Sequence, residues 1–242
     1  DAGEALRMFE GALRTDPAQA EARGGRARAL ASLGREGEAV RDYRMALGRA
    51  PVPHLALELG ELLESLGRTE EARVPYELLA SLASKGVPNG VGEDVTLGLF
   101  EADHGNPAAA VRRLTAEWGR HKNMQVADAL GWALHRAGDD PAALEYAKKA
   151  TEPGVRSADF AYHRGQIERG LGDVAAARRF FEEALRTNPR FSPLRGPQTK
   201  EALEAVGRPA AGGPENMQPT TPWVAPVLPK PSAKPSPSAS AH

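Results

Sequence analysis

Six histidines and several close-set carboxylates are the side chains in this 242-residue chain that could bind a metal or move a proton. His104 stands in the run Glu101-Ala102-Asp103-His104-Gly105-Asn106, whose donor types suit a divalent cation. The competing and favoured reading is a solvated turn. Asp139-Asp140-Pro141 lacks the ligand spacing of a calcium loop and reads as a helix start, with Asp140 as N-cap and Pro141 at the first helical position. His54, His104, His121, His135, His163 and His242 form no HExxH pair. There is no GxxxxGK[ST] phosphate loop, no strand-borne GxGxxG, no GxSxG elbow and no cysteine. We therefore assign no catalytic residue, expect no metal and no cofactor, and expect the chain not to be an enzyme.

The elements that position these side chains announce themselves by a period. Five times a glycine is followed five residues later by an alanine: Gly34/Ala39, Gly67/Ala72, Gly105/Ala110, Gly138/Ala143 and Gly172/Ala177. The glycines are 33, 38, 33 and 34 residues apart. A period near 34 with small residues at fixed offsets predicts stacked helical hairpins, each burying its apolar face against its neighbours. Seven residues before the glycine stands Ala27, Gly60, Gly98, Gly131 or Gly165, and four after the alanine comes Tyr43, Tyr76, Leu114, Ala147 or Phe181. Small residues facing large ones let the helices of a hairpin approach closely. The glycine between helices is expected to supply a left-handed cap, and Pro51 and Pro189 to close two of the units.

This pattern resembles the tetratricopeptide repeat family, in its bacterial form, over residues 1–191. The resemblance implies an all-α, right-handed α-solenoid of helix-turn-helix repeats with a disordered Pro-rich C-terminal tail. The array would fill residues 1–208. Ala5, Phe9, Ala12 and Pro17 match the second half of a repeat (1–19) whose first helix is absent. Repeats follow at 20–52, 53–90, 91–123, 124–157 and 158–191, with a capping helix at about 198–206. Residues 77–94 carry one extra helical turn, read as a longer helix to Gly86 and a loop through Pro88-Asn89-Gly90. Residues 91–123 depart from the pattern, with Glu117 where the other second helices are small or apolar and no closing proline.

In such arrays the first helix of each hairpin lines a concave groove that receives a peptide. Transferring the groove-facing offsets names Arg28, His54, Glu61, Glu64 and Ser65, then Leu99, Asp103, Asp128, Trp132, His135, Arg136, Tyr162, Gln166 and Arg169. The chaperone-tail-binding subclass needs asparagine and lysine at sites that here hold Arg28, Glu61, Leu99, Trp132 and Gln166, so no carboxylate clamp is expected. Trp132, His135, Arg136, Tyr162 and Arg169 would combine aromatic area with cationic donors, the mixture that dominates interface energetics. Trp132 and Tyr162 could equally be packing residues. Glu61 and Glu64 read first as a solvated helix face. A lone second helix at the start would leave Leu6, Phe9 and Leu13 uncovered.

Composition narrows the partners. A net charge of −1 gives no steering towards nucleic acid, and no run is long and apolar enough for a membrane helix. From Pro209 the chain turns to Pro, Ser, Ala and Gly and is expected to be disordered, with one apolar island at Trp223–Leu228 that is either linker or docking motif. The chain begins at Asp1 in mid-repeat, so an upstream region is expected. The function expected is a non-catalytic adaptor that holds a peptide segment of another protein in its concave groove. The alternative is an interaction or regulatory region of a larger enzyme or transcriptional regulator. Abundant Ala, Arg and Gly suggest a bacterial source; the compartment stays open between cytoplasm and envelope, as does the oligomeric state.

Overall fold

The computed structural model describes residues 1–84, 91–151 and 154–207; the tail from 209, including Trp223, and the Pro88–Gly90 loop lie outside these residues. Among the described residues there are twelve helices and no strand: α1 (Ala2–Thr15), α2 (Ala20–Ser32), α3 (Glu36–Leu47), α4 (Pro53–Ser65), α5 (Thr69–Ser84), α6 (Val91–His104), α7 (Pro107–Arg120), α8 (Met124–Arg136), α9 (Asp140–Thr151), α10 (Ala158–Gly170), α11 (Val174–Thr187) and α12 (Arg195–Ala205). They form a helical-repeat solenoid. Five hairpins, α2–α3 to α10–α11, stack in chain order, with α1 ahead of them and α12 behind. The first helices pack successively on one another, α2 on α4, α4 on α6, α6 on α8 and α8 on α10. No pair of second helices packs comparably among the described residues, so the first helices form the inner, concave wall.

The close approach inside each hairpin follows from the small residues. A Cβ on Gly60 would lie 2.2 Å from the Tyr76 ring, one on Gly98 2.6 Å from Leu114, and one on Gly165 2.5 Å from Phe181. In α8–α9 the large residue is replaced by Ala147, and the backbones themselves close in. A Cβ on Gly131 would meet Ala143 O at 3.1 Å and Ala147 N at 3.2 Å. The hairpin that lacks the large side chain compensates by moving its helices together.

Four of the five inter-helix glycines adopt the expected left-handed conformation, with φ between +70° at Gly67 and +88° at Gly138. Each ends its helix with a paired closure; at the first, Arg35 N donates to Leu30 O and Gly34 N to Ala31 O. Gly105 does not. Only Gly105 and Asn106 separate α6 from α7, so there is no room for that closure; Gly105 N continues the helix to Glu101 O, and Asn106 Oδ1 caps α7 by accepting from Ala108 N and Ala109 N. The start of α9 also differs from expectation. Asp139 Oδ1, not Asp140, accepts from Ala142 N, and Asp140 turns to His135.

Two expected weak points are resolved by local chemistry. Leu6 and Leu13 are buried and Phe9 lies on Gly25 of α2, so the apolar face of α1 is covered by its successor. Glu117 is buried, but Arg120 Nη2 at 2.6 Å compensates its charge and His121 Nδ1 lies within hydrogen-bond distance at 2.9 Å. The final helix begins at Arg195, three residues before the expected 198, because Ser192 Oγ accepts from Leu194 N and Arg195 N and turns the chain early.

Candidate functional site

The concave wall is assembled from α2, α4, α6, α8 and α10, and most of its polar side chains hold one another. On α2, Arg28 forks onto Glu58 with Nη2 2.6 Å from Oε1, and Glu58 also accepts from Tyr43 OH at 2.8 Å. On α4, Glu64 accepts from Tyr76 OH at 2.8 Å, His54 pairs with Glu21 at 3.1 Å, and exposed Ser65 donates to Leu62 O. Leu99 of α6 packs among the apolar side chains below.

Further along, Asp103 at the end of α6 is the hub. Its Oδ1 accepts from Trp132 Nε1 at 3.0 Å and lies 3.3 Å from Arg136 Nε. Trp132 is 4% exposed and stacks on His163 with centroids 4.4 Å apart, so its packing role is met in full. Buried His163 pairs through Nδ1 with Asp128 Oδ2 at 2.8 Å. His135 is held by Asp140. Tyr162 is buried against Phe181 and Phe191 and donates to Gln198 Oε1 at 3.2 Å. Gln166 is buried, with an Oε1 that accepts no hydrogen bond. Arg136 and Arg169 remain exposed. The structure thus gathers Trp132, Arg136, Tyr162 and Asp128 around one aromatic–carboxylate cluster, while Arg28, Glu61 and Glu64 belong to the earlier repeats.

Glu61 is not a solvated residue. It is 6% exposed, and its Oε1 lies 2.9 Å from Nη2 of Arg195, a residue from outside the repeats. The same Nη2 donates to Asp103 Oδ2 at 2.9 Å. Burial pushes the Glu61 carboxyl up to about 7, against the pull of Arg195 and with Asp103 and Asp159 adding to the rise. Burial also raises Asp159, again opposed by Arg195. For Arg195 burial works against the charge, but Glu61, Asp103 and Asp159 outweigh it and hold the guanidinium protonated. Three first helices, from three different hairpins, therefore converge on one arginine.

The chain delivers that arginine by crossing the concave face. After α11 the segment Pro189–Leu194 runs back over the inner wall: Arg190 Nη1 donates to Ser32 O at 2.8 Å and the Phe191 ring lies 6.1 Å from Tyr162. Between this segment and helices α2, α4 and α6 lies a cavity of about 700 Å³, walled by Arg28, Glu58, Glu61, Leu99, Asp159 and Arg195. Glu58, Asp159, Arg190, Phe191 and Arg195 were not among the residues transferred by groove offsets. The signal for the last three was present as Asn188-Pro-Arg-Phe-Ser-Pro-Leu-Arg195, a proline-broken run with two arginines and an aromatic just past the last repeat.

His104, the candidate metal donor, is drawn the other way. It stacks on Tyr76 at 4.2 Å, burial lowers its pKa, Glu101 is taken by Arg113 and Asp103 by Trp132 and Arg195. No set of three ligand side chains is gathered for a metal among the described residues, and no described helix is long and apolar enough to cross a membrane.

The architecture defines the class: a solenoid of helical hairpins whose first helices enclose a concave channel. The tetratricopeptide repeat model matches residues 1–52 and 141–190, and the unmatched interval holds the hairpins with the extra turn and the shortened connection. Those two stretches are recognised as tetratricopeptide repeats, and the stack of helical hairpins continues through the interval between them. No curated protein matches the sequence of the chain. Among solved structures it is similar to a tetratricopeptide repeat protein from Parabacteroides merdae ATCC 43184 (17% identity, TM-score 0.57, covering 86% of this chain and 78% of that one). It is also similar to TTC0263, a thermophilic tetratricopeptide repeat protein of Thermus thermophilus (18%, 0.52, covering 76% and 99%). A third likeness is to a chain of the APC/C hetero-tetramer Cut9-Hcn1 (18%, 0.53, covering 86%), of which this chain spans 40%.

Proposed function

We propose that the chain is a non-catalytic scaffold for protein–protein interaction that receives an extended segment of a partner in its concave channel. The observation that carries this reading is the cavity of about 700 Å³ on the inner wall, lined by side chains from three successive first helices and closed on one side by a non-repeat segment. Stacked repeats create extended concave surfaces of this kind, and peptide recognition uses them because pockets on successive helices read successive side chains. Polar groups with fixed partners, such as Glu58 between Arg28 and Tyr43, give the wall a defined shape before a ligand arrives.

A photo-activated cross-linking residue placed at Ser65, which is exposed and lines the cavity, tests the proposal in cells of the source organism. Exposed Arg112 on α7, away from the cavity, is the control position. Cross-linking at 65 to one contiguous segment of a partner, without the same adduct at 112, is the expected result. Adducts at 112 and none at 65 would move the interaction surface to the outer face.

A further inference from the structure

We propose that the segment Pro189–Lys200 is a resident ligand of the channel, and that the partner segment admitted there carries an arginine that replaces Arg195. This rests on the reading that the concave channel receives a partner segment, and it specifies what that segment must look like.

The first argument is the origin of the charges. The cations facing the cavity from one side, Arg190 of the crossing segment and Arg195 and Lys200 in the first turns of α12, all lie in the run Pro189–Lys200, which contains no acidic residue. The repeats themselves contribute Glu36, Glu58, Glu61 and Asp159 to the wall, with Arg28 as the charged counterweight and His54 beside it. Lift the segment away and the repeats present an acidic channel. Its complement is a basic chain, and the one that now occupies it is irregular over Pro189–Leu194 and helical from Arg195.

The second argument is the socket. Arg195 is 8% exposed and is met by carboxylates from α4 and α6, with Asp159 of α10 near enough to raise its pKa. A planar guanidinium can address several oxygens in different directions, whereas an ammonium acts as a compact point charge. Glu61 Oε1, although 2.9 Å from Arg195, accepts no aligned hydrogen bond, so the resident arginine leaves the socket imperfectly satisfied. A ligand able to align both contacts gains over it. On either side, Phe191 against Tyr162 and Arg190 on Ser32 O supply secondary contacts that a partner strand could reproduce. Because the segment is tethered, it competes at an effective concentration in the millimolar range, so a partner must bind well enough to overcome that. The resident ligand therefore excludes weak and uncharged strands.

The test uses the full chain with a protease site inserted between exposed Asn188 and Pro189, cut after folding. The C-terminal fragment should remain bound, and a synthetic peptide of residues 188–200 should exchange with it. The same peptide bearing Arg195→Ala should exchange at least tenfold more weakly, and Arg195→Lys severalfold more weakly. Release of the fragment on cutting with no uptake of peptide overturns the proposal, and so does equal exchange by the Ala peptide. Parity of the Lys peptide overturns the preference for guanidinium. Should the insertion prevent folding, the same peptides at several millimolar are added to the uncut chain. Backbone hydrogen exchange of residues 190–205 should then accelerate with the native peptide but not with the Ala form; no difference between them overturns the proposal. Since the probe is the chain's own sequence, its failure alongside retained cross-linking at position 65 removes this inference and leaves the channel reading standing.

Discussion

Replacing Gly165 by alanine puts the packing argument at risk in one atom. The added Cβ would lie 2.5 Å from Cε1 of Phe181, about an ångström inside ordinary contact, and Phe181 is wholly buried with no room to retreat. Overpacking of this kind costs roughly 1–3 kcal/mol, and the severity of the approach places it towards the upper end. Alanine also recovers about 1 kcal/mol of helix propensity over glycine. The net expectation is a loss of about 1–2 kcal/mol, read from urea denaturation followed by far-UV circular dichroism. Phe181→Ala alone should cost roughly 3–5 kcal/mol through the cavity it leaves. In the double variant the new methyl group has that space to enter, so the combined loss should fall short of the sum by about 1–2 kcal/mol. Gly131→Ala is the internal comparison. Its Cβ is short of room by only a few tenths of an ångström, so a loss below that of Gly165→Ala is expected. Strict additivity of the Gly165 and Phe181 substitutions would refute the claim that the two sites share one packing space.

Glu61 makes stability depend on pH. Its carboxyl titrates near 4.5 when exposed and is pushed up to about 7 by burial in the fold, so the folded state is favoured at low pH and loses stability as pH rises from about 4.5 to about 7. That shift corresponds to roughly 3 kcal/mol, and Glu61→Gln should flatten this part of the pH–stability curve measured by urea melts; an unchanged slope would reject the assignment. Asp103→Ala removes the acceptor shared by Trp132, Arg136 and Arg195 and should cost roughly 3 kcal/mol or more, with a shift in tryptophan emission. Arg28→Ala, which breaks a half-exposed pair, should cost about 1 kcal/mol in the same melts. Gly172→Ala forces a side chain into φ +83° and should cost about 1 kcal/mol or more, although nothing crowds the added atom.

The repeat architecture was legible because its determinants are local. A glycine, an alanine five residues on and a large residue four further specify one hairpin, and the contact between Gly60 and Tyr76 spans only 16 positions. Gly105 shows the limit of such reading, since the shortened connection before Asn106 removed the left-handed cap without changing the period. The channel was half legible. Groove offsets named Arg28, His54, Glu61, Ser65 and Leu99 of its lining, but assigned Glu61 to a solvated face. The residue that decides the environment of Glu61 is Arg195, which lies beyond the last repeat and obeys no period. Charge pairing between segments so far apart leaves no local pattern, and only the unusual composition of Pro189–Lys200 hinted at it.

Stacked hairpins ordinarily behave as a one-dimensional chain, in which either end can peel away while the rest persists. The bond from Arg190 to Ser32, 158 positions apart, alters that connectivity. It ties the first complete hairpin to the segment beyond the last, so the array is looped rather than linear. Loop-closure entropy grows only logarithmically: going from a 34-residue repeat contact to this one is a little over two doublings, or about 1.3 kcal/mol. For that modest cost, peeling from the C-terminal end must first release a clasp on α2, α4 and α6, and the distant hairpins come to share one unfolding event.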